Sequence, residues 1–523
     1  MPDSCATPGS PAASVGGLQR AMSAGTLTSA EVTAFYLERI HRLNPALHAV
    51  ITVDAGAGEQ ARASDAVRAE RGPRSLLEGI PILVKDNIEV AGMPTTAGSP
   101  ALLGAHGPQG RDAFIVSRLR QAGAVIVGKA NLSEWSNFRS TRGTSGWSTL
   151  GGQTANPFAL ERNPSGSSSG SAAGIAAGLA PVAVGTETDG SIVCPASACG
   201  VVGIKPTVGL VSRSGIVPIS AAQDTAGPMA RSVTDAAALL SILAAADPDD
   251  PAASAAHTLG RTFSSPADYT GCCDPGALHG ARVGIWRAGS AAASAATAAV
   301  LDQAVARLRD LGAVVIDPVE LPDTGKIGVP ECGALLHEFK HGIGAYLAGL
   351  PGARHRTLAD LIGFNARNAG LVLARFGQEV FEQAQATPGG LADPGYRELR
   401  AAAARLARTA LDTPLVTHRL DAVVALTASP AWLTDYALGD HDVFHTSGPA
   451  AVSGYPAVSL PFGYVWGLPV GISFMGPRWS EPRLIALAYA FEQAAGAARG
   501  PSAPAPPHVS TGSPPQLAGI LAP

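Results

Sequence analysis

A chain of 523 residues with 37 basic and 41 acidic side chains carries a net charge of −4, which leaves no basic field for nucleic acid or an anionic membrane. Its six cysteines, Cys5, Cys194, Cys199, Cys272, Cys273 and Cys332, lack metal-ligand spacing and a disulfide framework; they read as reduced thiols, and neither metal nor cofactor is expected. Length alone would allow three domains, but motifs at 79–87, 163–195 and 442–476 read as parts of one site, which favours one large domain with an insertion.

Residues 1–15 are rich in Pro, Ser and Ala and are expected to be disordered. They lack the basic and apolar regions of a signal peptide, so a cytoplasmic location is expected unless a native signal has been removed. From Gly17 to Leu43 apolar residues recur at helical spacing, and Thr28-Ser29-Ala30-Glu31 has the form of a capping box; a further helix is expected over 55–71. The run PILVKDNIEV then reads as a strand carrying Lys85. A lysine at a strand end is usually solvated, but Ile82-Leu83-Val84 places this one beside buried backbone, where desolvation lowers an ammonium pKa.

A helix over 117–124 and a buried strand from Val125 to Gly128 lead into a polar, glycine-bearing stretch, 131–156, that suits a loop lining a cleft. Trp135, Phe138 and Trp147 are candidates to shape a substrate pocket there, with plain packing as the competing role. The stretch 163–195 follows: a serine cluster on glycines, Gly166-Ser167-Ser168-Ser169-Gly170, then small residues that fit a closely packed helix, then Thr186-Glu187-Thr188-Asp189-Gly190-Ser191. Gly190 before Ser191 predicts a tight turn whose successive N–H groups point at one spot, which makes Ser191 the first candidate nucleophile. Cys194 is a rival, but buried packing is its expected role.

Further on, a helix over 232–246, a linker or surface excursion over 248–280, a strand over 281–286 and a helix over 297–311 are expected; residues 332–411 read as helical and more charged. Strands return at 421–427, 456–461 and 470–474, a helix spans 482–495, and the Pro- and Ser-rich tail 500–523 reads as loosely attached. Residues 163–186 and 446–477 lack Asp, Glu, Lys and Arg. The first is too rich in Gly and Ser to span a membrane, and in the second Pro449, Pro456, Pro461, Pro469 and Pro477 would break a spanning helix, so no membrane segment is expected.

The runs Gly79-Ile80-Pro81-Ile82-Leu83-Val84-Lys85-Asp86-Asn87, 166–171 and 185–192 with Pro195 resemble the signature of the amidase signature family of serine hydrolases, and the likeness extends from about Leu27 to Ala495. The resemblance implies an α/β fold in which a large mixed sheet is flanked by helices on both faces. It also implies one amidase domain over 16–499, with core at 60–245 and 420–499 and a substrate-covering helical region near 332–411. It casts Lys85, Ser167 and Ser191 as a catalytic triad, with Ser167 bridging the other two, and the N–H groups of Thr188, Asp189, Gly190 and Ser191 as an oxyanion hole. Ser168 would orient the site, and the carboxylates of Asp189 and Glu187 would be structural. The implied substrate is a small amide or peptide amide cleaved without metal or cofactor, with monomer and homodimer both open. Many members carry an arginine two residues after the nucleophile; Val193 stands there in this chain, which matches the peptide-amidase-like branch and weakens a reading as one component of an amidotransferase acting on aminoacyl-tRNA. Hydrolysis of cyclic amides or oligoamides remains a third reading.

Overall fold

A computed structural model of the chain describes residues 13–107, 110–258 and 268–496. The stretches 1–12 and 497–523, which hold most of the expected disordered start and the whole of the tail, lie outside the described residues. The first helix begins within the expected disorder, at Val15, where Ser14 Oγ accepts from Gly17 N at 3.0 Å. The helix Ser29–Leu47 starts on the expected capping box, with Thr28 and Glu31 bonding each other's backbone.

Among the described residues thirteen strands follow in chain order: β1 (Val50–Val53), β2 (Pro81–Lys85), β3 (Val125–Ala130), β4 (Trp147–Ser148), β5 (Gly152–Gln153), β6 (Val182–Glu187), β7 (Val202–Lys205), β8 (Thr225–Ala230), β9 (Arg282–Ile285), β10 (Val314–Ile316), β11 (Ala422–Leu426), β12 (Ala457–Val465) and β13 (Leu468–Met475). β4 and β5 form a small hairpin, and the rest make one sheet in the order β1-β3-β2-β6-β8-β7-β12-β13-β11-β9-β10. It is mixed: β3, β2 and β6 run parallel, as do β11, β9 and β10, while the stretch between them is antiparallel. An α/β fold with a large mixed sheet is what the resemblance implied.

Because side chains alternate across a strand, an apolar run must find cover on both faces. Ile82 and Val84 join Val182, Val184 and Ile204 on one face; Leu83 joins Val127, Ala183 and Met229 on the other. The first face is covered by helices Val233–Leu243 and Glu481–Gly496, the second by Ser169–Ala176. The last of these sits very close: a Cβ on Gly170 would lie 2.2 Å from Ala49 O, so only glycine fits. Lys85 follows Leu83 on the same face and therefore points toward the start of that helix.

β2 is shorter than the expected PILVKDNIEV strand, because the chain turns at Asp86. Asp86 N still bonds Ala130 O, but Ile88 N folds back on Lys85 O. Asp86 faces the buried Lys129 Nζ at 3.1 Å, and Thr96 also binds its carboxylate, so the residue after the strand is clamped where the turn begins. The helical region appears as Gly328–Ala348, Leu358–Arg367, Ala369–Val372, Glu379–Ala386 and Pro394–Thr417. Among the described residues no helix is long and apolar enough to cross a membrane.

Candidate active site

Lys85 is fully buried, with Nζ 2.7 Å from Ser167 Oγ, 3.1 Å from Ser168 Oγ, 2.9 Å from Thr186 Oγ1 and 3.2 Å from Thr186 O. Burial lowers its pKa from 10.5 to about 7; the charges of Glu187 and Asp224 oppose that fall. A neutral amine has two hydrogens and a lone pair to distribute among these four neighbours. Thr186 O only accepts, and the Ser168 hydroxyl is spent on it at 3.0 Å. Thr186 Oγ1 already accepts from Asn87 Nδ2 at 3.0 Å. Ser167, the nearest, is thus placed to donate its hydroxyl hydrogen into the Lys85 lone pair.

Ser191 comes to the same place through the backbone, its carbonyl accepting from Ser168 N at 3.1 Å. The residue is 9% exposed, and its Oγ takes part in no hydrogen bond among the described residues. The turn before it is built as the glycine suggested. Gly190 has φ +76°, and a Cβ there would lie 2.9 Å from both Cys194 Sγ and Ser447 Oγ. The N–H groups of Thr188, Asp189, Gly190 and Ser191 meet no acceptor among the described residues. Two of them have an aim that can be read, because a trans peptide points its N–H opposite its C=O. Thr188 O is held by Gln223 Nε2 at 3.2 Å, which aims Asp189 N–H the other way, and Gly190 O is held by Cys194 N at 2.8 Å, which does the same for Ser191 N–H.

Glu187 braces the turn from beneath. Its buried Oε2 accepts from Ile192 N at 2.7 Å and Val193 N at 3.0 Å, at the start of the helix Val193–Ala198. Burial raises its pKa, against the pull of Lys205, itself buried and lowered to about 8. Asp189 accepts from Ser447 Oγ at 2.5 Å, and Ser447 Oγ also meets His445 Nδ1 at 3.0 Å. In that trio the serine lies between the histidine and the carboxylate, whereas a charge-supported Ser-His pair needs the histidine in the middle. The Cys194 thiol is pushed well up by burial and then by Glu187 and Asp189, so it is no thiolate.

A cavity of about 440 Å³ adjoins this cluster, lined by Asn87, Ser136, Thr186, Thr188, Asp224, Glu338, His341 and Tyr396 among others. Trp135, Phe138 and Trp147 are not in its wall. Trp135 meets Phe381 edge-on at 5.6 Å, Phe138 meets Phe339 at 5.1 Å, and Trp147 meets Phe376 at 5.0 Å with the Arg139 guanidinium beside both. These contacts fasten the 131–156 loop to the helical region. Trp135, Ser136 and Asn137 all have left-handed φ, 54°, 55° and 69°, a conformation non-glycine residues hold only when surroundings impose it. Thr186, Asn87, Gln223 and Asp224 were not singled out as site residues from the sequence, although Thr186 opens the motif that did draw attention.

Gly190→Ala is expected to lower kcat by about 10²–10³-fold, the usual effect of losing one oxyanion donor, because the left-handed turn cannot keep its aim with a Cβ against Sγ and Oγ. Steady-state rates beside a melting curve check it; a folded variant with unchanged kcat would remove the turn from the catalytic machinery.

A buried lysine bonded to one serine, a second serine tied to the same cluster through its backbone and a turn whose N–H groups meet no acceptor among the described residues are the parts that a serine hydrolase using an amine in place of histidine would need. A family model described as amidase matches residues 31–485. The crystal structure of native peptide amidase from Stenotrophomonas maltophilia is 48% identical, covers 95% of this chain and 99% of its own, and superposes with a TM-score of 0.86. A probable amidase of Arabidopsis thaliana is 42% identical over 90% of this chain and 87% of its own length. One component of the glutamyl-tRNA(Gln) amidotransferase of Symbiobacterium thermophilum is 37% identical over 91% of this chain and 95% of its own length. The chain belongs to the amidase family, as its signature runs suggested, and hydrolyses amide carbon–nitrogen bonds.

Proposed function

We propose that this amidase removes the C-terminal carboxamide of peptides and related linear amides, with Ser191 as nucleophile, Ser167 as bridge and Lys85 as base. The observation that carries the reading is the 2.7 Å contact between a buried, neutralisable Lys85 and Ser167, beside a turn of unpaired N–H groups. Ser191 Oγ attacks the carbonyl carbon, passing its proton to Ser167 as Ser167 gives its own to Lys85 Nζ. The carbonyl oxygen, now negative, takes hydrogen bonds from the turn at 188–191. As the C–N bond breaks, the proton returns through Ser167 to the leaving nitrogen; ammonia departs and an acyl ester stays on Ser191. Water attacks that ester by the same relay, releasing the carboxylic acid and restoring the serine.

Similarity to a peptide amidase over nearly the whole chain supports a peptide acyl group, and a cavity of about 440 Å³ is of the size that holds a small organic ligand. Trp135, Phe138 and Trp147 serve the site only indirectly, by fastening to the helical region the loop whose Ser136 lies in the cavity wall. The reading as an amidotransferase component has the 37% relative in its favour and Val193, in place of arginine, against it. Ammonia release by the purified chain alone, from a panel of peptide amides, alkyl and aryl amides and cyclic amides, tests the proposal. Fastest turnover of peptide amides supports it; a faster alkyl, aryl or cyclic amide replaces the substrate class, and a folded chain silent on every amide favours the partner-dependent reading.

A further inference from the structure

Among the described residues, Gln223 joins the turn at 188–191 to two helices of the covering region at once. It is fully buried, and its amide is nearly spent: Nε2 donates to Thr188 O at 3.2 Å and to Glu331 Oε1 at 2.8 Å, while Oε1 accepts from Arg400 Nη1 at 2.5 Å. Glu331 lies on Gly328–Ala348 and Arg400 on Pro394–Thr417. Arg400 does not wander, because its Nε and Nη2 grip the two oxygens of Glu338 at 2.8 and 2.7 Å, and Glu338 takes further bonds from Tyr396 OH and Ser220 Oγ. The neighbouring Asp224 holds the hydroxyl of the same threonine, with Thr188 Oγ1 2.7 Å from its Oδ1.

We propose that Gln223 is a positioning residue that aims the Asp189 N–H at the reacting carbonyl oxygen, and that through Glu331 and Arg400 the helical cover sets that aim. The inference rests on the reading of the turn as the oxyanion donor. Thr188 C=O and Asp189 N–H share one rigid peptide plane, so the bond that fixes the carbonyl also fixes the direction of the donor. A free carbonyl would let the plane rock, and a donor misaligned by tens of degrees loses most of its hydrogen bond. Glu338, Tyr396 and Thr188 all line the cavity, so a substrate seated there touches the same network that orients the donor. The fit of the acyl group under the helices is thereby felt at the carbonyl oxygen, where the transition state and not the bound substrate gains.

Gln223→Met keeps the side chain's length and removes its three bonds; Glu331→Ala leaves Gln223 on Thr188 but frees it from the first helix. Both are compared with the parent on a peptide amide and against a peptide aldehyde, whose adduct with the serine carries the oxyanion. The expected result is a fall in kcat of about 10–10²-fold for Gln223→Met, a smaller fall for Glu331→Ala, KM within about threefold, and aldehyde affinity weakened in step with kcat. A purely structural role lowers the melting temperature without that split between kcat and KM. Folded variants that keep kcat and aldehyde affinity within twofold of the parent overturn the inference while Ser191→Ala remains inactive. Activity in Ser191→Ala would instead show that the reading of the turn beneath it is wrong.

Discussion

Ser191→Ala is expected to lower kcat/KM on a peptide amide by on the order of 10⁴–10⁶-fold, because the members of a relay act as a unit and the remaining two have nothing to activate. Stability should scarcely change. The Ser191 hydroxyl takes part in no hydrogen bond among the described residues, and the residue is held by its carbonyl, which alanine retains. Deleting a hydroxyl that holds no bond leaves no partner unsatisfied, so the folded state loses little. Ser167→Ala is different in kind, since it removes a partner from a buried amine and so disturbs Lys85 as well as the proton path. The decisive measurement is mass spectrometry of enzyme quenched during turnover of a slow amide. An acyl adduct on the Ser191 peptide in the parent, absent from Ser191→Ala, assigns the nucleophile; an adduct on Cys194 or Ser447 would sink the assignment.

What could be read from the chain was local. The three apolar residues before Lys85 place it beside buried backbone, where desolvation lowers an ammonium pKa, but it is the resemblance of the run 79–87 to the family signature that casts it in the triad. The Ser191 turn stood out because glycine before a serine permits a left-handed bend, and Gly190 makes one. The helix after the serine cluster was legible from its small residues, which let it approach Ala49 and Asn131 more closely than any Cβ allows. The rest is long-range. Ser447 reaches Asp189 across 258 positions and Arg400 reaches Gln223 across 177, and no periodicity encodes such pairs. The end of β2 was missed because IEV continues to look like a strand, while the turn is set by a carboxylate clamped between Lys129 and Thr96. The loop aromatics fit a pocket wall as well as a packing surface by composition alone; only the positions of Phe339, Phe376 and Phe381 distinguish the two.

The pH dependence should report Lys85 directly. Below about pH 7 its Nζ is an ammonium with three hydrogens and no lone pair, unable to take a proton from Ser167; above that it is a base. Hence kcat/KM should rise with pH, with a midpoint near 7, to a plateau, and Lys85→Ala should lose on the order of 10³–10⁵-fold at the plateau and show no such limb in what remains. Stability carries the same sign. With the folded pKa below the roughly 10.4 of a free lysine, the unfolded chain binds more protons between about pH 7 and 10, so the lysine's cost to folding is full below pH 7 and fades as pH rises through that window. One rival owner of the limb is Asp224, a buried carboxyl pushed up to about 6 that holds the Thr188 hydroxyl. Asp224→Asn separates them. If Lys85 owns the limb, removing a negative charge that favours its ammonium moves the midpoint to lower pH, and if Asp224 owns it, the limb vanishes. Warming adds an independent check, since amine deprotonation absorbs heat and carboxyl deprotonation nearly none: a lysine limb shifts to lower pH as the temperature rises, and a carboxyl limb stays where it is.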